Sequence, residues 1–318
     1  MALLRRALVV VQPLVVALAF VLLFLLLRRE WDSLVAHPWR LHPLWLVVSG
    51  AFLVGGWLFE ILMWQRLIVR FGGRIPYWAA VRIWLASGVA KYVPGKIWQP
   101  LSLTLRCQER GVRPEVTFAA LSLFQVVLVL AVGPIAALYL LTWGRRGALE
   151  AWMGPYAVWW AIVAAAPLVL FLLWPRAIVA VANAVLTRVG REPLPSDLSA
   201  RDLAGVFGIS LLAWVGFCGG FAALALAVLP DDGPLWREVV PHAVAAYPIA
   251  FAVGFVSVLT PSGLIVRDGM LFLLLAPVVG RDSALIVALA MRVWEIALDA
   301  VACACAIGWP GLRRLAGR

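Results

Sequence analysis

The sequence predicts an all-α, polytopic integral membrane protein, with about six spanning helices and two helical hairpins broken by Pro and Gly. Three observations carry this prediction. Of the 318 residues, 64% are hydrophobic and 14% are charged, against about 45–50% and about 25% in soluble domains. A water-soluble globule of this size has no interior large enough for that apolar surface, so the surplus faces lipid. Long apolar runs recur along the chain, each sufficient to cross about 30 Å of hydrocarbon at about 1.5 Å per residue. Two further apolar regions are interrupted at their centres.

The long runs fall at about 7–27, 43–65, 115–142, 154–174, 203–229 and 284–308. The first follows Arg5 and Arg6 and has the charged start of a signal peptide. Its length, and the lack of a small-x-small cleavage pattern at its end, favour a retained span. The interrupted regions are about 76–107, broken at Val93-Pro94-Gly95-Lys96, and about 239–280, broken at Thr260-Pro261-Ser262-Gly263. Pro removes an N–H and Gly weakens a helix, so each region is expected to form two shorter helices about a bend. Backbone groups freed at such a bend are tolerated in a membrane only under protein or beside a wet cavity.

Charge sets the expected orientation. The N-terminus, the loops at 66–75, 106–114 and 175–202, and the C-terminus share one side, which carries most of the arginines. That side is expected to be cytoplasmic, in the cytoplasmic (inner) membrane, with both termini on it. Asp231 and Asp232 fall on the other side. The sides do not change whether the hairpins re-enter or cross twice. The net charge of +11 then reads as cytoplasmic loops beside an anionic lipid surface. No stretch interleaves basic and aromatic residues as a nucleic-acid-binding domain does, so nucleic acid is not an expected partner. Cys107, Cys218, Cys303 and Cys305 form no C-x-x-C pair and read as small apolar residues. The three histidines are scattered, and neither a metal nor another cofactor is expected.

The two halves resemble each other. Setting Pro94 on Pro261 gives an offset of 167 (261 − 94), and the same offset sets Gln125 on Arg292. Within a single transmembrane domain of residues 1–318, halves of about 36–142 and 203–308, linked by 143–202, share the order long span, broken hairpin, long span. In the topology above the second half starts from the opposite face, which makes an inverted repeat. Chance likeness between two apolar, proline-broken stretches is the alternative.

Ionisable groups deep in a span cost about 2.5–3.5 kcal/mol each and need a partner or water. The first hairpin offers Lys91, Tyr92, Pro94, Gly95, Lys96, Trp98 and Gln99. Pro-Gly stops one helix and Lys96 opens the next, where free N–H groups and the dipole favour phosphate. Tyr92 and Trp98 frame a headgroup or act as interfacial aromatics, and snorkelling to the interface is the other reading of the two lysines. The second hairpin offers Pro261, Ser262, Gly263, Arg267 and Asp268. Its Arg267 is suited to grip a phosphate with two donors, or else is neutralised by Asp268. In the last span Arg292, Glu295 and Asp299 fall at i, i+3 and i+7, a polar stripe on an apolar helix. Arg292 and Glu295 are spaced to pair with each other, as a gate or as a buried structural ion pair. Glu60 in the second span is a further candidate.

At Lys91-Tyr92-Val93-Pro94-Gly95-Lys96-Ile97-Trp98, followed by Arg106 and Gly111-Val112, the sequence resembles the lysylphosphatidylglycerol synthase transmembrane region. That region is the flippase part of the bacterial multiple peptide resistance factor. Pro261-Ser262-Gly263…Val266-Arg267-Asp268-Gly269 is similar to the family's Pro-Gly-Gly…Arg-Glu-Gly pattern, with Ser262 for Gly and Asp268 for Glu. The resemblance covers about residues 10–310. It implies an all-helical inner-membrane protein, built from repeats with re-entrant hairpins, that moves a lipid between leaflets. These 318 residues leave no room for a soluble synthase domain, so a free-standing member is expected.

The expected function is therefore a lipid flippase or transporter. Its substrate would be an anionic phospholipid or a polyprenyl-phosphate-type lipid, and its partners a second copy of the chain or a synthase or glycosyltransferase. No recognisable catalytic motif is present, so an enzyme is not expected. Two alternatives stay open. One is a membrane-embedded lipid glycosyl or prenyl transferase, for which Glu295 and Asp299 are the only close acidic pair in a span. The other is a non-transporting scaffold for a partner membrane enzyme.

Overall fold

The structure is a computed structural model that describes residues 41–92, 97–142, 156–173, 180, 183–184, 187–188, 199–229, 235–256 and 264–316. The expected first span at 7–27 lies outside the described residues. So do the hairpin tips carrying Pro94, Gly95, Lys96, Pro261, Ser262 and Gly263. Among the described residues the regular structure is entirely helical.

Helix α1 (Pro43–Arg70) begins with Pro43 in its first turn, where the missing N–H has no partner to lose. The first interrupted region forms α2 (Tyr77–Gly88), a 3-10 turn (Val89–Tyr92) and α3 (Trp98–Gln108). The expected span at 115–142 is two helices, α4 (Pro114–Leu130) and α5 (Val132–Thr142). They meet at Ala131 because Pro134 has no N–H for the carbonyl of Leu130. Helix α6 (Ala157–Leu173) follows. Helix α7 (Ala200–Val228) starts at a capping box in which the Ser199 hydroxyl accepts from the Asp202 N–H and the Asp202 carboxylate accepts from the Ser199 N–H. The second interrupted region forms α8 (Leu235–Val256) and α9 (Leu264–Val279). The last helix, α10 (Arg281–Ala316), is 36 residues long.

Among the described residues three stretches are long and apolar enough to cross a membrane: α1, the α4–α5 stretch Pro114–Thr142, and α7. Helix α10 exceeds them in length, but Arg292, Glu295 and Asp299 interrupt its apolar sequence. Arg292 and Asp299 are buried inside the bundle, so these charges do not face lipid. The outer surface carries exposed Leu44, Val47, Trp78, Trp159 and Val215. Such a shell is suited to hydrocarbon and not to water.

Helices α1 and α7 form the most extensive helix pair and run antiparallel. At one end the His42 N–H donates to the Ala227 carbonyl at 3.1 Å. At the other, Arg70 Nη2 lies 2.6 Å from Asp202 Oδ1. Between them, Ser49 Oγ donates to the Gly220 carbonyl at 2.7 Å. The two backbones nearly touch: a Cβ on Gly216 would lie 2.6 Å from Gly56 Cα and 2.8 Å from the Phe52 carbonyl oxygen. Small residues permit this approach, which lets dispersion forces hold helices together where lipid supplies no hydrophobic drive. The two arms of each hairpin pack on one another, α2 on α3 and α8 on α9, and α10 packs on α2, α7 and α9. Cys107, Cys218 and Cys303 are buried free thiols, as their apolar surroundings suggest, whereas Cys305 is exposed on the outer face of α10.

Gly216→Val should therefore lower the detergent-solubilised unfolding temperature by an amount equivalent to about 1–3 kcal/mol of overpacking. Gly208→Ala, on the same helix with no atom within 4 Å of the added Cβ, should leave it unchanged or raise it slightly. Thermal denaturation of the two variants side by side checks both.

Candidate functional site: a charged cavity between two hairpins

A cavity of about 820 Å³ lies where both hairpins meet α10. Its apolar wall is aromatic, with Trp57, Trp84, Phe124, Trp214 and Phe251. Its polar wall is made by Glu60, Lys91, Tyr92, Gln99, Arg267, Arg292, Glu295 and Asp299. Four different elements bring these charges together, and α10 supplies the shared side.

On the first-hairpin side, α2 tightens into the 3-10 turn, which places Lys91 and Tyr92 against α10. Lys91 Nζ lies 2.7 Å from Asp299 Oδ2, and Tyr92 Oη donates to the same oxygen at 2.5 Å. Asp299 is thus held by a cation and a hydroxyl, both from a segment more than 200 residues earlier in the chain. The Lys91 ammonium also lies 5.3 Å from the centre of the Tyr92 ring and 6.0 Å from that of Trp57, within reach of cation–π attraction. Gly88 leaves the space beside this carboxylate open, since a Cβ there would lie 3.7 Å from Asp299 Oδ1.

On the second-hairpin side, Arg267 on α9 meets Glu295 as a fork. Nη1 donates to Oε1 at 3.1 Å and Nη2 donates to Oε2 at 2.6 Å, the paired geometry that suits a guanidinium to a carboxylate. Tyr247 on α8 adds a third donor, with its hydroxyl 2.5 Å from Glu295 Oε1. Arg292 donates through Nε to Asp268 Oδ2 at 3.1 Å and through Nη2 to Oδ1 and Oδ2 at 2.8 Å. Arg267 Nε is 3.5 Å from Asp268 Oδ1, a looser contact. Helix α8 approaches α9 closely here, with a Gly254 Cβ position 3.0 Å from Arg267 Cβ.

The pairing adds cross-helix partners to the expectation. Arg292 and Glu295 are spaced to pair along α10, and both pair across to α9, with Asp268 and Arg267 respectively. The cross-helix partners present both carboxylate oxygens to a guanidinium, and α9 packs directly on this face of α10. The structure brings together Lys91, Tyr92, Gln99, Arg267, Arg292, Glu295 and Asp299 at the cavity. Asp268 stands behind it, holding Arg292. Trp98 opens α3, half-buried, outside the residues that line the cavity. Sequence reasoning missed Trp57 and Tyr247. A tyrosine next to Pro248 inside an apolar run was the available signal for Tyr247, because a buried hydroxyl there needs an acceptor. Glu60, a candidate from the sequence, and Gln125, noted there only for the repeat offset, both line the cavity.

The fold and the cavity define a class: an α-helical membrane protein whose charges converge inside the bundle from two broken hairpins and one long helix. The family follows from comparison with known proteins. Residues 9–303 match the model of the lysylphosphatidylglycerol synthase TM region, and the chain belongs to that family. No curated protein and no solved structure matches it.

Removing one partner of a buried pair strands the other charge, at about 3–5 kcal/mol. Glu295→Gln should accordingly lower the unfolding temperature sharply. Combining it with Arg267→Met should recover most of the loss. A double-mutant cycle by thermal unfolding reads the coupling.

Proposed function

We propose that this protein moves an anionic lipid, or an anionic lipid-linked headgroup, between the leaflets of the cytoplasmic membrane. One observation carries the reading. A cavity large enough for a headgroup presents Lys91, Arg267 and Arg292 beside an aromatic wall, and each cation is held by a carboxylate of another segment. Such pairs can exchange partners: a phosphate displaces a carboxylate at Lys91 or Arg267, and the carboxylates reclaim their cations when the lipid leaves. Membership of the family supports the same reading.

In this proposal the two halves form an inverted repeat, and the packing supports it. Helix α1 packs on α2 and α4, α2 on α3, and α3 on α4. In the second half α7 packs on α8 and α10, α8 on α9, and α9 on α10. Between halves, α2 packs on α10 and α8 on α5. The equivalent first spans, α1 and α7, run antiparallel, as an inverted pair requires. Both termini are cytoplasmic, and the cargo is an anionic phospholipid or a polyprenyl-phosphate-type lipid. Glu295 and Asp299 serve as gating partners of Arg267 and Lys91, and the protein acts without chemistry of its own. A second copy, or a synthase or glycosyltransferase that makes the lipid, is the partner expected to supply it.

Leaflet exchange of tail-labelled fluorescent lipids in proteoliposomes, read by surface quenching, tests this. The wild type should exchange an anionic lipid faster than a zwitterionic one. Lys91→Ala and Arg267→Ala should each slow anionic exchange at least about tenfold, the equivalent of about 1.4 kcal/mol of lost headgroup interaction. Exchange no faster than in empty vesicles would contradict the proposal.

A further inference from the structure

We infer that Glu60 and Asp299 form a proton site that loads when an anionic headgroup takes Lys91, so that lipid and proton cross together. The inference rests on the headgroup reading above and follows from the charges in and behind the cavity. Among the described residues in and behind the cavity, four carboxylates (Glu60, Asp268, Glu295 and Asp299) meet three cations (Lys91, Arg267 and Arg292). Arg267 and Arg292 are matched by Glu295 and Asp268. Lys91 is left to serve two carboxylates: Asp299 in direct contact at 2.7 Å, and Glu60 on α1, which lines the same cavity and acts on both Lys91 and Asp299 through its charge.

An arriving phosphodiester claims the Lys91 ammonium. The Lys91–Asp299 ion pair then opens, and two carboxylates stand in an aromatic-walled cavity without a cation in contact. A carboxylate in such surroundings takes a proton, because the neutral acid avoids the cost of an unpaired charge. The step balances. One anionic charge enters with the headgroup, and one proton from water bonds to a carboxylate oxygen of Asp299 or Glu60. Tyr92 Oη, now 2.5 Å from Asp299 Oδ2, remains a hydrogen-bond partner for the acid. On release Lys91 returns and the proton leaves to water.

The groups facing this pair are Lys91 and Tyr92 from the 3-10 turn, Arg292 and Glu295 on α10 itself, Arg267 from α9 and Tyr247 from α8. Arg106 on α3 acts on Cys303, one turn beyond Asp299. All of these cations except Lys91 and Arg106 are committed to other carboxylates. Among the described residues no three acidic, His or Cys side chains converge as metal ligands.

The test uses the full chain in phosphatidylcholine vesicles containing tail-labelled phosphatidylglycerol, in sodium-free buffer with the membrane potential clamped. With one unit of pH difference imposed, one proton per monoanionic lipid drives the label about tenfold toward the leaflet facing the alkaline side. Tail-labelled phosphatidylcholine, whose headgroup brings its own cation, should show no such shift. An entrapped pH dye should report protons arriving with phosphatidylglycerol. Glu60→Gln should lose the response to the gradient, and Glu60→Asp, which keeps an ionisable group, should restore it. Rapid exchange to equal leaflet populations in spite of the gradient would overturn the coupling while leaving transport standing. A folded Glu60→Gln protein that responds like the wild type would overturn the assignment to Glu60. No exchange of either lipid would overturn the transport reading, and the coupling with it.

Discussion

Charge compensation on the last helix organises the whole assembly. Arg292, Glu295 and Asp299 lie on one face of α10, and no surface in contact with hydrocarbon will accept them. Each must find an opposite charge inside the bundle. Asp299 finds Lys91 and Tyr92 on the first hairpin. Glu295 and Arg292 find Arg267 and Asp268 on the second. One helix therefore pulls two hairpins, far apart in sequence, to a common point, and the space left between them is the cavity. The same interactions that make the bundle tolerable in a membrane gather these charges around the cavity.

The glycine-lined crossing of α1 and α7 is the complementary constraint. Hydrocarbon gives helices no reason to associate through apolar area, so close backbone approach and a few buried polar contacts must hold them. Gly56, Gly216 and Gly220 let the pair close until side-chain and backbone atoms leave no room for a Cβ. The Ser49–Gly220 hydrogen bond and the Arg70–Asp202 pair fix its register. This pair forms a firm centre around which the hairpins are arranged, whereas the hairpins are held at their inner ends by ion pairs that can exchange partners. The first contact is tight and largely apolar, and the second is a set of buried ion pairs around a cavity.

Much of this was legible in the sequence, for physical reasons that can be named. Lys91, Arg267, Arg292, Glu295 and Asp299 declared themselves because charges in apolar runs are too costly to be incidental. Pro and Gly marked where the two interrupted regions would turn, and each region does form a pair of packed helices. The pairing itself was not legible. Spacing along α10 offered Arg292 to Glu295, whereas the pairs to Asp268 and Arg267 come from a neighbouring helix, and nothing in one helix's sequence reveals which helix lies beside it. Trp57 and Tyr247 were missed for a related reason. Aromatics are abundant here, and only the fold separates those that line a cavity from those that face lipid. The break at Ala131 was overlooked because Pro134 sits within a strongly apolar run, where hydropathy masks the lost hydrogen bond.

The central claim is that α10 and the first hairpin are joined through Lys91 and Asp299, and that this contact works during transport. A charge exchange tests it most directly, by measuring lipid exchange for Lys91→Asp, Asp299→Lys and the double variant in folded, monodisperse protein. The account predicts that each single reversal, which sets like charges against each other, stops exchange, and that the double variant regains a measurable part of it. A double variant as inactive as the singles, or single reversals that exchange lipid like the wild type, would contradict it.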